Sequence, residues 1–123
     1  MAAPRILIVD DEPGIRLGVR MYLEASGFEV LDASDCASAM QLLYMRTFDV
    51  AVLDYSLPDG TALMVLAEIG KVQPAMKAVV LTAYPSDTLA RTVLASGAVK
   101  FLTKPIELAE LLSILKDLTG AGS

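Results

Sequence analysis

Val50-Ala51-Val52-Leu53-Asp54, followed by Tyr55-Ser56-Leu57-Pro58-Asp59-Gly60, is the stretch from which the rest of the chain can be read. Four aliphatic residues between turn formers predict a strand buried on both faces, as in a parallel sheet covered by helices. The run stops on an acid, which places Asp54 at the strand's C-terminal end. Open α/β sheets bind their ligands in the crevice outside those ends. Taken alone, Asp54 is read as a turn former, and the rest of the chain decides whether it is more.

Working outward, Arg5–Val9 is a second continuous apolar strand, and it ends on Asp10, Asp11 and Glu12. Pro13 opens a helix at its first turn, with Ile15, Val19, Tyr22 and Leu23 on one face and Gly27 as its C-cap. Residues 28–33 make a weaker, mixed strand suited to a sheet edge. Ser34 or Asp35 caps the next helix, which turns Ala39, Leu42 and Leu43 inward. Beyond the central strand, Asp59-Gly60 makes a turn, and Leu63, Leu66, Ala67 and Ile69 carry a third helix that ends near Gly70, before Gln73-Pro74. Lys77–Thr82 is a fourth strand that ends on a hydroxyl. Pro85-Ser86-Asp87 starts a fourth helix through Ala95, and residues 99–103 form a fifth strand that runs into Lys104-Pro105. The last helix carries Leu108, Leu111, Leu112 and Leu115 on one stripe, widened by Ile114 and Leu118. Five strand–helix units in strict alternation predict an α/β fold, (βα)5, with a doubly wound five-stranded parallel sheet.

With 123 residues and 54% hydrophobic content the chain is one domain able to bury a core without disulfides or structural metal. The domain is expected over 1–118, with a small-residue tail or the start of a linker over 119–123. Histidine is absent, which removes Ser-His-Asp and Cys-His catalysis and histidine-ligated zinc. The single cysteine, Cys36, is read as a small core or helix residue. No P-loop or dinucleotide glycine motif is present. The net charge of −5, with the ten bases scattered singly, argues against direct nucleic-acid binding. No apolar stretch reaches the length of a membrane span. The lone cysteine and the lack of a leader at the N-terminus point to a reduced, cytoplasmic setting.

The strand ends carry the chemistry. Strands one, three, four and five finish in Asp10 and Asp11, Asp54, Thr82 and Lys104, which a parallel sheet lines up along one edge. Clustered carboxylates repel by roughly 4 kcal/mol per pair at ~4 Å and an effective dielectric near 20, so they call for a cation. Hard oxygen donors with positions left open for water and a phosphate oxygen suit Mg²⁺. Lys104 offers a point charge for a phosphate and Thr82 a hydroxyl donor. A carboxylate nucleophile, a metal and a lysine make a phosphoryl-accepting site in which Asp54 attacks.

Four pieces together resemble the receiver domain of the bacterial two-component response regulators: Val9-Asp10-Asp11-Glu12, Leu53 to Gly60, Leu81-Thr82-Ala83, and Gly97 to Pro105. The resemblance covers Arg5 to Leu118. It implies a flavodoxin-like sheet of strand order 2-1-3-4-5 with Asp54 as phosphoacceptor. Mg²⁺ would be bound directly by Asp11, Asp54 and the backbone carbonyl of Ser56, and through water by Asp10. Thr82 would be the switch hydroxyl beside the small Ala83, Phe101 the switch aromatic, Lys104 the phosphate-binding lysine, and Lys104-Pro105 a cis bond. The implied partners are a histidine kinase or phosphotransfer protein upstream, and downstream a separate protein, an effector domain of the same protein, or a second copy in a phosphorylation-dependent homodimer. The output surface would be the fourth helix, fifth strand and last helix. No enzymatic activity beyond self-phosphorylation and slow self-dephosphorylation is implied.

Two departures stand out. Ala62 occupies the position where the family usually has Gly, with Gly60 two residues earlier, so the turn is expected to be redistributed. Lys100 stands where many members carry an acid before the aromatic, which departs from the charge pairs of the usual dimer. Ser56 and Tyr84 flank the acceptor where neither can orient water well, so a long-lived phosphoryl group is expected. Competing readings are an acid-metal phosphohydrolase, which would need a second acid where Ser56 stands, and a phosphorylation-independent scaffold, which has no need of the complete acid, hydroxyl and lysine set.

Overall fold

The computed structural model describes residues 2–121. Five parallel strands, β1 (Arg5–Val9), β2 (Glu29–Ala33), β3 (Val50–Asp54), β4 (Lys77–Thr82) and β5 (Lys100–Thr103), alternate with helices α1 (Pro13–Ala25), α2 (Cys36–Met45), α3 (Ala62–Val72), α4 (Asp87–Ala95) and α5 (Leu108–Thr119). The sheet order is β2-β1-β3-β4-β5, the doubly wound order 2-1-3-4-5. Successive strand residues face opposite sides, and both sides are apolar. Ile6, Ile8, Val50, Val52, Val79 and Leu81 pack with Leu23 of α1 and with Leu111 and Leu115 of α5. Leu7, Val9, Ala51, Leu53, Ala78 and Val80 pack with residues of α2, α3 and α4 on the other side. This two-sided burial is why the central strands read as continuous apolar runs.

Boundaries shift in places. β2 and β5 each begin one residue later than the expected 28–33 and 99–103. α3 passes through Gly70 to Val72, and Gln73 is its cap; an exposed glycine lowers helix stability without ending the helix. α5 runs through Thr119, and Gly120 closes it in the left-handed conformation. Residues 122 and 123 of the expected tail lie outside the described residues. Cys36 is inward-facing as read, and burial first, then Asp59, pushes its thiol up to about 11. At neutral pH it is a protonated core residue.

The segment read as a turn is a small antiparallel hairpin, Ser56–Leu57 against Gly60–Thr61, with Pro58 and Asp59 at its tip. Gly60 has φ 156°, and a Cβ there would fall on Met64 Sδ, so the turn glycine has moved to Gly60 while the fully buried Ala62 opens α3. Asp59 reaches across to α2: its Oδ1 accepts the Cys36 N–H at 2.7 Å and its Oδ2 the Ala37 N–H at 3.0 Å. The N-cap Asp35 accepts the Ser38 N–H at 2.8 Å, so two carboxylates cover the first turn of α2.

The N–H of Cys36, above all, holds the Asp59 carboxyl below the usual carboxylate range. A depressed folded-state pKa stabilises the fold above the unfolded value near 4, and that contribution is lost as pH falls through the folded value. Asp59→Asn is therefore expected to be less stable than the native chain at neutral pH. The two denaturation midpoints should converge as pH falls through the lowered folded-state value; a gap that stays constant with pH would contradict this.

Candidate functional site

The C-terminal strand edge gathers the charged residues because each lies at or just beyond the last residue of a buried strand. Asp54 ends β3, Thr82 ends β4, and Asp10 and Lys104 directly follow β1 and β5. The Asp10 N–H continues the ladder to the Ala33 carbonyl at 3.1 Å, and the Lys104 N–H to the Thr82 carbonyl at 2.8 Å. The backbone thereby carries four chemically distinct side chains to one edge.

Asp10, Asp11 and Asp54 each offer a carboxylate oxygen, and the three oxygens lie within 4.8 Å of one another. Asp10 is buried, Asp54 half-buried and Asp11 exposed. Lys104 Nζ lies 3.2 Å from Asp54 Oδ2 and 3.4 Å from Asp10 Oδ2, joining the two less accessible acids. Burial pushes the Asp54 carboxyl up, and Asp10 and Asp11 add to this; the Lys104 ammonium only partly offsets them. Burial works to lower Lys104, but Asp54 and Asp10 outweigh it and its ammonium is held firmly protonated. The acids thus outnumber the one cation among them, and the oxygen-only donor set fits a hard divalent ion.

Asp10 is fixed on every side. Its Oδ1 accepts the Glu12 N–H at 2.9 Å, its Oδ2 faces Lys104, and its carbonyl accepts from Arg16 Nη1 at 2.7 Å. Arg16 Nε in turn faces Asp32 Oδ1 at 3.8 Å. Thr82 is buried, and its Oγ1 accepts the Tyr84 N–H at 3.1 Å, which leaves the hydroxyl proton free to be donated. Lys104-Pro105 is cis. A cleft of about 440 Å³ opens beside the acids, with apolar walls from Ile15 and Val19 of α1 and Ile106 and Leu111 near or on α5.

Ser56 follows Asp54 by two residues, in the hairpin. The Ala62 N–H donates to the Tyr55 carbonyl at 2.8 Å, a bond that lies just outside the Ser56–Thr61 pair. An antiparallel ladder alternates, so Ser56, opposite Thr61, has its backbone groups directed out of the hairpin and its carbonyl available. Phe101 lies opposite Val80 on β5, half-buried against the α2-α3-α4 core rather than at the acids.

Asp10, Asp11, Asp54 and Lys104 are therefore in one cluster, with Thr82 on the neighbouring strand end and Ser56 in the adjoining hairpin. Sequence reading missed Arg16 and Asp59. An arginine on an amphipathic helix and an aspartate before glycine carry no local sign of their partners.

Comparison with known proteins agrees with this geometry. Residues 6–116 match the family described as the response regulator receiver domain. The response regulator protein PilR of Pseudomonas aeruginosa is 36% identical over 111 residues, which is 90% of this chain and 25% of PilR. The chain spans from about a quarter to about half of the length of such curated relatives, 55% in the longest-covered case named here, a transcriptional regulator of the same organism. A receiver domain protein of Methanospirillum hungatei superposes with a TM-score of 0.92 at 31% identity, covering 97% of this chain and 96% of that one. A response regulator from Burkholderia pseudomallei, solved with a phosphorylated aspartic acid, a calcium ion and citrate, gives a TM-score of 0.86 at 25% identity, covering 97% and 71%.

Proposed function

The chain belongs to the response regulator receiver domain family, and from that membership we propose that it is a phosphorylation-activated signalling receiver whose acceptor is Asp54. The donor is a histidine kinase or phosphotransfer protein. The observation that carries the reading is Lys104 bound to both Asp54 and Asp10 within a cluster of three carboxylates at one sheet edge.

A carboxylate oxygen of Asp54 attacks phosphorus, forming the acyl phosphate O–P bond. The P–N bond to the donor imidazole breaks, and its electron pair stays on that nitrogen. Lys104 offsets charge on the phosphoryl oxygens, and the Thr82 hydroxyl donates to one of them. Asp11, Asp54 and the Ser56 carbonyl would hold Mg²⁺ directly, with Asp10 acting through water. When bound, Mg²⁺ neutralises acids and phosphoryl oxygens. The aspartyl phosphate adds about −1.5 to −2 charge, by analogy with other phosphorylated side chains. Drawing Thr82 toward it, with Phe101 following, biases the surface of α4, β5 and α5. Among the described residues Leu94 on α4 is exposed, as are Tyr84 just before α4 and Val99 just before β5. The surface would meet a downstream protein, an effector domain or a second copy of the chain. No helix among the described residues is long and apolar enough to cross a membrane, and a cytoplasmic setting suits this role.

Two results are expected. Mg²⁺ at a hundred times its dissociation constant should stabilise the fold by about 2.7 kcal/mol, read as a rise in Tm that a chelator removes and Asp11→Asn largely abolishes. Unchanged Tm at saturating Mg²⁺ would contradict the metal assignment. Phosphorylation should move backbone NMR shifts at Thr82, Phe101 and along α4. Changes confined to α2 and α3 would overturn the assignment of the output surface.

A further inference from the structure

We propose that Asp59 is a positioning residue for the metal site: by clamping the tip of the 56–61 hairpin onto the N-terminus of α2, it holds the Ser56 carbonyl where a divalent cation on Asp11 and Asp54 would meet it. The inference rests on the receiver reading above and deepens it.

The hairpin is fixed at both ends. At its base the Tyr55 N–H donates to the Leu81 carbonyl at 2.8 Å, and the Ala62 N–H to the Tyr55 carbonyl at 2.8 Å. At its tip Asp59 accepts two N–H groups from α2, at 2.7 and 3.0 Å, linking segments 22 and 23 residues apart. Between these anchors Leu57 is buried in the core, and Cys36 Sγ lies 3.6 Å from the Thr61 carbonyl. Ser56 lies within this braced segment, and its outward-directed carbonyl is the one cation donor proposed here that comes from the backbone. Its position cannot be corrected by a change of rotamer, as a carboxylate's can; it depends on where the hairpin is held. Asp59 takes no part in the acid cluster, so its contribution runs through the hairpin alone. Groups that orient metal ligands from outside the ligand set carry substantial affinity of their own.

The test is a calorimetric titration of Mg²⁺ into the native chain and into Asp59→Ala, Asp59→Asn, Asp35→Ala and Asp11→Asn, with Tm measured for each. Asp35→Ala removes a cap from the same helix end without touching the hairpin, and so controls for loss of α2 stability. Asp59→Ala should bind Mg²⁺ about tenfold more weakly, Asp59→Asn should recover part of that affinity, and Asp35→Ala should lower Tm while keeping the native affinity. A folded Asp59→Ala with native affinity, or an equal loss in Asp35→Ala, overturns the clamp. Should Asp59→Ala fail to fold, native affinity in Asp59→Asn overturns it as well. If the native chain takes up no Mg²⁺, or Asp11→Asn binds it unchanged, the receiver reading itself fails. Binding that is lost in Asp11→Asn but intact in Asp59→Ala defeats the clamp alone.

Discussion

Asp54→Asn should acquire no phosphoryl group under conditions in which the native chain, incubated with Mg²⁺ and a small phosphodonor, acquires one. The measurement is intact mass with and without a chelator. Asp54 is the one cluster acid that ends a strand and is bound directly to Lys104, at 3.2 Å. The amide is nearly isosteric but is a poor nucleophile, so the fold survives while the O–P bond cannot form. Lys104→Met keeps the nucleophile and removes the positive charge aimed at the transferring oxygens, so labelling should slow by roughly 100-fold or more. Labelling at the native rate in Asp54→Asn would place the acceptor elsewhere. Absence of labelling in the native chain despite measurable Mg²⁺ binding would favour a scaffold that works without phosphorylation.

Gln73→Leu should destabilise the fold by roughly 2–4 kcal/mol, although no sequence pattern marks the residue. Its Nε2 donates to the carbonyls of Leu43 and Arg46, each at 2.7 Å, and its Oε1 accepts the Phe48 N–H at 2.9 Å. One amide thus closes the C-terminus of α2 and fixes the approach to β3, while the cap of α3 is the Gln73 backbone N–H, which a leucine keeps. The leucine fills similar space but leaves three backbone groups without this partner, two of the bonds being partly buried. Chemical denaturation at neutral pH would measure the loss. A change under about 0.5 kcal/mol would mean that water replaces the amide at little cost.

The strands were legible because burial on both faces leaves its mark locally. Val50 to Leu53, Ile6 to Val9 and Ala78 to Leu81 are apolar without a break, and each run lies where the sheet is covered on both sides. The acids, the hydroxyl and the lysine were legible as a group because strand ends of a parallel sheet share an edge, whatever the details of packing. Asp59, Gln73 and Arg16 were not. Asp59 before Gly60 is an ordinary turn pattern, Gln73 before Pro74 an ordinary break, and Arg16 an ordinary helix-surface charge. Gln73 finds its partners 25 to 30 residues away, and Asp59 finds its own 22 to 23 away.

The sequence by itself determined the order of elements, the two-sided core and which polar residues share the C-terminal sheet edge. All of these follow from periodicity and from where apolar runs stop. Only the tertiary structure decided that Lys104 binds both Asp54 and Asp10, that the loop after Asp54 is a hairpin with an outward Ser56 carbonyl, and that Asp59 clamps it to α2. The hairpin and its clamp depend on how α2 and α3 pack against one face of the sheet, and the Lys104 contacts on how far its side chain reaches across the strand ends. A hydrogen bond requires its two atoms within about 3 Å of each other, and local sequence pattern does not carry distances between segments at that precision.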